Sequence, residues 1–252
     1  MRPTLLILGG TTEASRLARR VADLAVEAVY SYAGRVATPD RQPIETRVGG
    51  FGGVEGLIDY LRDRRITHII DATHPFAAQI SRNVSAAATA TSLPLIALTR
   101  PPWTPIDGDQ WTTATDMADA VKHVETKEKR RIFLAIGRTE ISAFRRVPQH
   151  HYLLRMVEPP ATPPSMPDHT LVIARGPFDE ASDRELIQHH EIDLVVSKNS
   201  GGAGAYAKIG AARALGLPVL MINRPRLPTR REVSEVDEVI AWLHHTDTER
   251  GV

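Results

Sequence analysis

Short apolar segments recur along this chain, and segments with helical spacing of apolar residues separate them. Residues 4–8, 132–136 and 219–222 are apolar without polar alternation, as expected for strands covered on both faces of a sheet. Residues 13–24 instead repeat apolar side chains at helical spacing. Strands that alternate with helices predict an α/β protein with parallel sheets covered by helices on both faces.

A proline-rich segment divides this pattern into two halves. Pro101, Pro102 and Pro105 oppose both helix interiors and ladder pairing, and the alternation resumes after them. We therefore expect two Rossmann-like parallel-sheet domains with the active site in the cleft between them. Residues 1–99 would bind the cofactor, and residues 100–252 would form a second α/β domain that contributes substrate-binding loops.

The composition excludes several kinds of partner and site. The chain has 31 basic and 30 acidic residues, which gives no global field that attracts nucleic acid. It lacks an apolar run long enough to span a membrane, and it has no cysteine for disulfides or Cys-based zinc sites. We expect a cytoplasmic protein that binds a small molecule, without a metal site, a membrane or a nucleic-acid partner. The sequence does not indicate the oligomeric state.

The turn after the first predicted strand is the first candidate ligand site. Gly9 and Gly10 allow close approach of the backbone to a phosphate, and Thr11, Thr12 and Glu13 lead into a helix whose free N–H groups favour an anion. The turn lacks the G-x-G-x-x-G order of the usual dinucleotide fingerprint. The alternative is a tight turn in which Thr12 caps the helix. The position after the first strand of a βαβ unit favours phosphate binding.

The end of the second predicted strand bears on the identity of the cofactor. NAD sites usually place an Asp or Glu there to bind the ribose hydroxyls, whereas this chain has Ser31 and Arg35. An arginine fork pairs well with a phosphate, which favours NADPH. The alternative is a solvated arginine on a turn. Gly50, in the glycine tract 49–53, is a further candidate cofactor contact.

Polar residues also follow the strand that ends near residue 70. Thr73 and His74 are predicted cofactor contacts, and His74 is also a candidate catalytic group, because an imidazole can donate a proton near neutral pH. A structural histidine is the alternative.

The second half carries further polar loops after its strands. The candidates for an anionic substrate are Arg138, Arg175, Lys198, Asn199, Ser200 and Gly201. Arg138 and Arg175 each adjoin a glycine at a strand end, and as a pair they favour an acidic ligand. The loop 197–204 supplies several donors, and it lacks the order of a Walker A motif. Lys198 is the second candidate catalytic group.

Together these segments resemble the precorrin-6A reductase family of cobalamin biosynthesis. The matching segments are residues 7–14 (Ile-Leu-Gly-Gly-Thr-Thr-Glu-Ala), 71–77 (Asp-Ala-Thr-His-Pro-Phe-Ala), 100–103 (Arg-Pro-Pro-Trp), 137–138 (Gly-Arg), 174–178 (Ala-Arg-Gly-Pro-Phe) and 197–202 (Ser-Lys-Asn-Ser-Gly-Gly). The resemblance implies an oxidoreductase that uses NADPH to reduce a macrocycle double bond of precorrin-6A, giving precorrin-6B. Its substrate is a tetrapyrrole with many carboxylates, which suits Arg138, Arg175 and Lys198. The resemblance assigns no proton donor.

Three other functions are compatible with the residues alone. One is an NADPH-dependent imine or enoyl reductase with another acidic substrate. A second is a non-catalytic sensor that binds NADPH without oxidising it. A third is a methyltransferase with a sulfonium cofactor, which would not need Arg35.

Overall fold

A computed structural model describes residues 3–34, 40–166 and 168–249, with side chains up to residue 245. The chain forms two compact units: Met1–Pro101 with Pro225–Val252, and Pro102–Arg224. The chain therefore returns to the first unit after residue 224, which corrects the prediction that residues 100–252 form one domain. The sequence did not predict this return, because the strand of the returning segment has only three residues and two of them are charged.

The elements follow one another in strand–helix alternation. The first unit begins with β1 (Thr4–Leu8), α1 (Thr12–Asp23), β2 (Glu27–Tyr32), β3 (Glu45–Val48), α2 (Gly53–Asp63), β4 (His68–Asp71), α3 (Ala78–Thr91) and β5 (Leu95–Leu98). The second contains β6 (Gln110–Ala114), α4 (Met117–His123), β7 (Arg131–Ala135), a 3-10 helix (Arg138–Arg146), β8 (His151–Met156), β9 (His169–Ile173), α5 (Glu180–His189), β10 (Leu194–Lys198), α6 (Ala207–Ala214) and β11 (Pro218–Ile222). β12 (Arg231–Val233) and α7 (Val236–Glu249) complete the first unit. Among the described helices, none has the length and apolar character that crossing a membrane requires.

The sheet of the first unit has the strand order β12-β5-β4-β1-β2-β3, and its pairs are parallel. This is the doubly wound order of a Rossmann fold, so the predicted fold class is confirmed. The direction of winding reverses between β1 and β4. Ligands of such sheets bind beyond the carboxyl ends of the strands at this switch point.

Both faces of this sheet are covered, and β1 shows why. Leu5 and Ile7 point to one face and pack in a buried cluster with α1 and α7, whereas Leu6 and Leu8 point to the other face and pack with α2 and α3. Successive strand residues alternate between faces, so a strand buried on both sides must be apolar throughout. The uninterrupted apolar run that predicted β1 from the sequence is therefore explained by the central position of this strand in the sheet.

The sheet of the second unit has the order β6-β11-β10-β7-β8-β9, again with parallel pairs. Its winding reverses between β7 and β10. Phe133, Leu153 and Val195 of the central strands form a buried cluster with residues of α5 and α6. The carboxyl ends of β7 and β10 are thus the expected ligand edge of this unit.

Candidate active site

The turn after β1 is shaped by a tyrosine of the neighbouring strand. A Cβ at Gly9 would lie 2.1 Å from Cζ of Tyr30, so no side chain fits there. The backbone N–H of Gly10 donates to Oη of Tyr30 at 2.9 Å, and Gly10 has a φ of 108° that favours glycine. Burial raises the pKa of the Tyr30 phenol, which keeps it protonated. The turn is therefore a rigid surface of bare backbone at the switch point.

Helix α1 begins one residue earlier than predicted. Thr11, not Thr12, is the N-cap: its Oγ1 accepts from the N–H of Ala14 at 3.1 Å and donates to the carbonyl of Ala72 at 2.8 Å. The Thr11 hydroxyl is thus used within the fold. The N–H groups of Thr12 and Glu13 have no acceptor within their own helix, as at every helix start, and they remain suited to an anion.

The carboxylate of Glu13 stands at this same helix start, where it would repel a phosphate. Nη1 of Arg100 lies 3.2 Å from Oε2 of Glu13, and both side chains are mostly buried. The pairing neutralises the carboxylate. The arginine of the Arg-Pro-Pro-Trp segment thereby contributes to the electrostatics of the turn.

Asp71, at the end of β4, organises the loop that follows. Its Oδ1 accepts from the N–H and hydroxyl of Thr73 at 3.1 and 2.6 Å, and its Oδ2 accepts from Ser81 at 2.6 Å. Oδ2 also forms an ion pair with Arg230 of the returning segment. Asp71 is 2% exposed and Ser81 is 3% exposed, so the centre of this network is buried. Arg230 is a residue that sequence reasoning missed, since 159 positions separate it from Asp71.

The loop held by Asp71 presents His74 beyond the switch point. Nδ1 of His74 accepts from the N–H of Phe76 at 3.2 Å. The neutral ring therefore carries its proton on Nε2. His74 is half-buried, which suits a group that can meet a ligand.

The ends of β2 and β3 form a third part of this edge. Ser31 is buried, and its Oγ accepts from Nη1 of Arg47 at 2.7 Å. The carbonyl of Gly50 accepts from Nη2 of Arg47 at 2.9 Å. Arg35 lies outside the described residues, so its predicted role stays a prediction. Arg47 was missed because its contact with Ser31 is made across paired strands.

In the second unit, the switch point brings Lys198 and Glu140 together as an ion pair. Lys198 ends β10, and Glu140 belongs to the 3-10 helix after β7. The Lys198 side chain is 12% exposed. A Cβ at Gly137 would lie 3.0 Å from the Glu140 carboxylate, so a side chain there would crowd the pair. Arg138 is exposed at the start of the same 3-10 helix.

The remaining residues of the Lys198 loop make contacts within the unit. The Asn199 side chain accepts from the N–H of Trp103 at 2.7 Å and donates to its carbonyl at 2.9 Å. Nε1 of Trp103 donates to the carbonyl of Gly202 at 2.8 Å. The carbonyls of Asn199 and Ser200 accept from Arg224 at 3.0 and 3.1 Å. This loop therefore fastens both ends of the segment Pro102–Arg224.

Gly201 and Arg175 differ in their surroundings. Gly201 is buried with a φ of 70°, which permits the turn after Ser200. Arg175 follows the edge strand β9 and forms an exposed pair with Glu158 at 3.4 Å. Since β8 lies between β7 and β9, their ends are about 10 Å apart. The structure groups Arg138 with Lys198, and Arg175 stands apart from them.

A cavity of about 340 Å³ occurs elsewhere, where α2 and α3 end. Its lining includes Leu61, Arg62, Ile66 and Thr91. These helix ends precede β4 and β5, so the cavity lies at the amino edge of the sheet. It is separate from the carboxyl edge that carries the candidate site.

A family model, curated relatives and a solved structure each match this chain over nearly its whole length. The family model described as "CbiJ: Precorrin-6x reductase CbiJ/CobK" matches residues 4–244. A protein of Rhodobacter capsulatus named precorrin-6A reductase is 53% identical over 249 residues, 98% of this chain and 99% of its own. A relative of the same name from Sinorhizobium sp. is 46% identical over 245 residues, 97% of this chain and 94% of its own. A solved structure titled "CobK precorrin-6A reductase" matches with a TM-score of 0.91 and 53% identity, covering 96% of both chains. The chain belongs to the CbiJ/CobK precorrin-6x reductase family.

Proposed function

We propose that this chain reduces a double bond of the precorrin-6A macrocycle with NADPH, giving precorrin-6B in cobalamin biosynthesis. The observation that carries the proposal is 53% identity, over 98% of the chain, to a relative named precorrin-6A reductase. The Sinorhizobium relative bears the same name. Because neither name specifies cobalt, the proposed substrate is the cobalt-free macrocycle.

The carboxyl edge of the first unit fits a phosphate-bearing dinucleotide. Gly9 and Gly10 place no side chain over the turn, so a pyrophosphate can approach the backbone and the N–H groups of Thr12 and Glu13 at the start of α1. Gly10 has open space where a Cβ would be. The end of β2 offers Ser31 in place of the acid that NAD sites use. NADPH, when bound, supplies the hydride, and the protein has to orient it and exclude water.

The second unit is proposed to bind the carboxylates of the substrate. Arg138 follows β7 and Lys198 ends β10, the two strands at the switch point of this unit, and both side chains carry donors for carboxylates. Glu140 holds the Lys198 ammonium in place. Arg175, which is exposed, would reach only a more distant carboxylate of a large substrate. The side-chain amide of Asn199 forms hydrogen bonds with the backbone of Trp103, so we assign this residue to the support of the loop.

His74 is proposed as the proton donor that accompanies hydride transfer. It follows β4, on the opposite side of β1 from β2, so a dinucleotide with its adenosine over β2 would extend its nicotinamide towards this loop. The acceptor role of Nδ1 leaves the proton on Nε2. Lys198 is the weaker candidate, because its ammonium is already engaged in an ion pair with Glu140.

The proposal is tested by incubating the purified protein with precorrin-6A and NADPH and following the absorbance of both. We expect NADPH oxidation and a change in the macrocycle spectrum with equal stoichiometry. Mixtures that lack substrate or enzyme are the controls. Cobalt-precorrin-6A should be reduced more slowly. In the same assay, His74→Gln should lower kcat about 100-fold or more while the Kd for NADPH changes little.

Two results would contradict these proposals. NADPH that binds without being oxidised in the presence of precorrin-6A would indicate a sensor. An unchanged kcat in a folded His74→Gln variant would remove His74 as the proton donor and leave the reductase activity standing.

A further inference from the structure

Arg47 is held in a single orientation at the edge of the first sheet. Its Nη1 donates to Oγ of Ser31 at 2.7 Å and to the carbonyl of Gly49 at 3.0 Å, and its Nη2 donates to the carbonyl of Gly50 at 2.9 Å. Its Cζ lies 3.9 Å from the centroid of the Phe51 ring, which supports the guanidinium from one side. A solvated surface arginine has no such set of contacts.

The positive charge of Arg47 has no counter-charge in the described part of the chain. The contacts of its guanidinium are with neutral acceptors and aromatic rings, whereas nearby Arg64 pairs with Glu45. Residues 35–39 contain no acid in the sequence. Partial burial lowers the pKa of Arg47, which means that its charged form is poorly solvated. An anion would relieve this cost.

The unused donors of Arg47 have the geometry of a phosphate site. An arginine carries five N–H groups. Three are used on Ser31, Gly49 and Gly50, so Nε–H and one Nη2–H have no acceptor recorded among the described residues. Both remaining donors belong to Nε and Nη2, which share one edge of the guanidinium, and this edge can bind two oxygens of one phosphate.

The position of Arg47 identifies the phosphate. In a Rossmann sheet, the residue at the end of the second strand reads the 2′-position of the adenosine ribose. Ser31 occupies that place in β2, and Arg47 is its register partner in β3. We propose that Arg47, oriented by Ser31, binds the 2′-phosphate of NADPH and selects it over NADH. This inference rests on the proposed use of NADPH.

Binding measurements with four probes test this assignment on the full chain: NADPH, NADH, 2′,5′-ADP and 5′-AMP. We expect the wild type to prefer the two 2′-phosphorylated probes. Arg47→Met should lower the affinity for NADPH and for 2′,5′-ADP by about 10- to 100-fold, which is the range for the loss of hydrogen bonds to a charged group. NADH and 5′-AMP should change by less than about twofold, because they lack the phosphate that Arg47 contacts.

Arg64→Met is the matched control, because it removes an equal charge close to the same strand from an exposed position. It should leave all four affinities unchanged. Arg47→Lys keeps the charge and loses the fork, so its preference for 2′,5′-ADP should lie between wild type and Arg47→Met. Thermal unfolding of each variant verifies that it is folded.

The outcomes separate this inference from the proposed function. A wild type without preference for NADPH would contradict the cofactor proposal itself. A folded Arg47→Met or Arg47→Lys variant that retains the full wild-type preference would overturn the role of Arg47 alone and would transfer it to Arg35. Equal losses for phosphorylated and unphosphorylated probes would show general damage to the site and would also overturn the role.

Discussion

At the residue scale, the first βα turn depends on the absence of one methyl group. The ring of Tyr30 is fully buried and fills the place where a side chain at residue 9 would project. Its phenol then accepts from the backbone of Gly10. One tyrosine thereby supports the turn from below and leaves its upper surface free for a ligand. Glycine at position 9 follows from packing, whereas glycine at position 10 follows from its φ.

Gly9→Ala should destabilise the fold and weaken the binding of the cofactor. The added Cβ forces Tyr30 or the turn to move, and overpacking of this kind costs about 1–3 kcal/mol. The free energy of unfolding from denaturant titration and the Kd for NADPH measure the two effects. Gly204→Ala is the control, since its Cβ meets no atom within 4 Å and its φ is not positive. Wild-type stability in Gly9→Ala would mean that the turn adapts more readily than its packing indicates.

At the element scale, β12 completes the first sheet through a short strand and a buried ion pair. The strand pairs with β5, and Arg230 just before it reaches Asp71. The side chain of Arg230 is 8% exposed, so both charges are largely removed from water. The pair connects the returning segment to the loop that carries His74. We therefore expect a change in the packing of this segment to disturb the candidate site.

Arg230→Met should destabilise the first unit by about 3–5 kcal/mol, because it leaves the buried Asp71 carboxylate without its partner. The loss should be smaller in the double variant with Asp71→Asn. Chemical denaturation gives the energies, and amide hydrogen exchange should show the faster opening of β12 and β5. Arg231→Met, at the exposed next position, should have little effect. Equal energies for the single and double variants would argue against the pair as the source of stability.

The sequence was informative for elements whose burial is uniform and less so for the others. Central strands such as β1 and β7 were predicted because they are apolar throughout. β6 (Gln110–Ala114) was missed, since it is polar and largely exposed at the edge of its sheet. β12 was missed for its length. The pattern of apolar residues in a sequence reflects which residues are buried. An edge strand with few buried residues is therefore difficult to predict from that pattern.

The positions of the site loops were predictable, and the tasks of their side chains were not. The turn at Gly9, the loop at His74 and the residue Lys198 lie at the carboxyl ends of strands at the switch points, as the alternation of elements predicted. Asp71 forms an ion pair with Arg230, and Asn199 forms hydrogen bonds with Trp103; both partners are distant in the sequence. Such pairings depend on how strands far apart in sequence are brought together, and no local pattern encodes them.

At the scale of the whole molecule, both units repeat one architecture, and the second buries an ammonium that forms no ion pair with the described residues. Lys208, in α6, is 6% exposed and donates to the carbonyl of Ala205. Burial lowers its pKa to about 7, and the Arg155 charge acts in the same direction, while Asp183 opposes it. Arg155 and Asp183 form their own buried pair. Lys208 therefore carries a stability cost that depends on pH.

The unfolded chain holds the Lys208 proton up to about pH 10, whereas the folded chain releases it near pH 7. The unfolded state thus binds more protons between these values, so wild-type stability should gain with rising pH in this window. Lys208→Met should be more stable by about 1–3 kcal/mol at pH 7, and the difference should shrink towards pH 10. Denaturation at several pH values measures it. Lys122→Met, at an exposed position, is the control; parallel profiles for Lys208→Met and wild type would refute the assignment.

The return of the chain to the first unit sets an order of events during synthesis on the ribosome. When residue 101 has emerged, β5 has no neighbour on its outer side, and it stays an open edge until β12 is made. The segment Pro102–Arg224 is contiguous, so it can fold as soon as it is complete. The first unit to start is therefore the last to finish. During that interval the apolar strand β5 is an open edge that can pair wrongly with other chains.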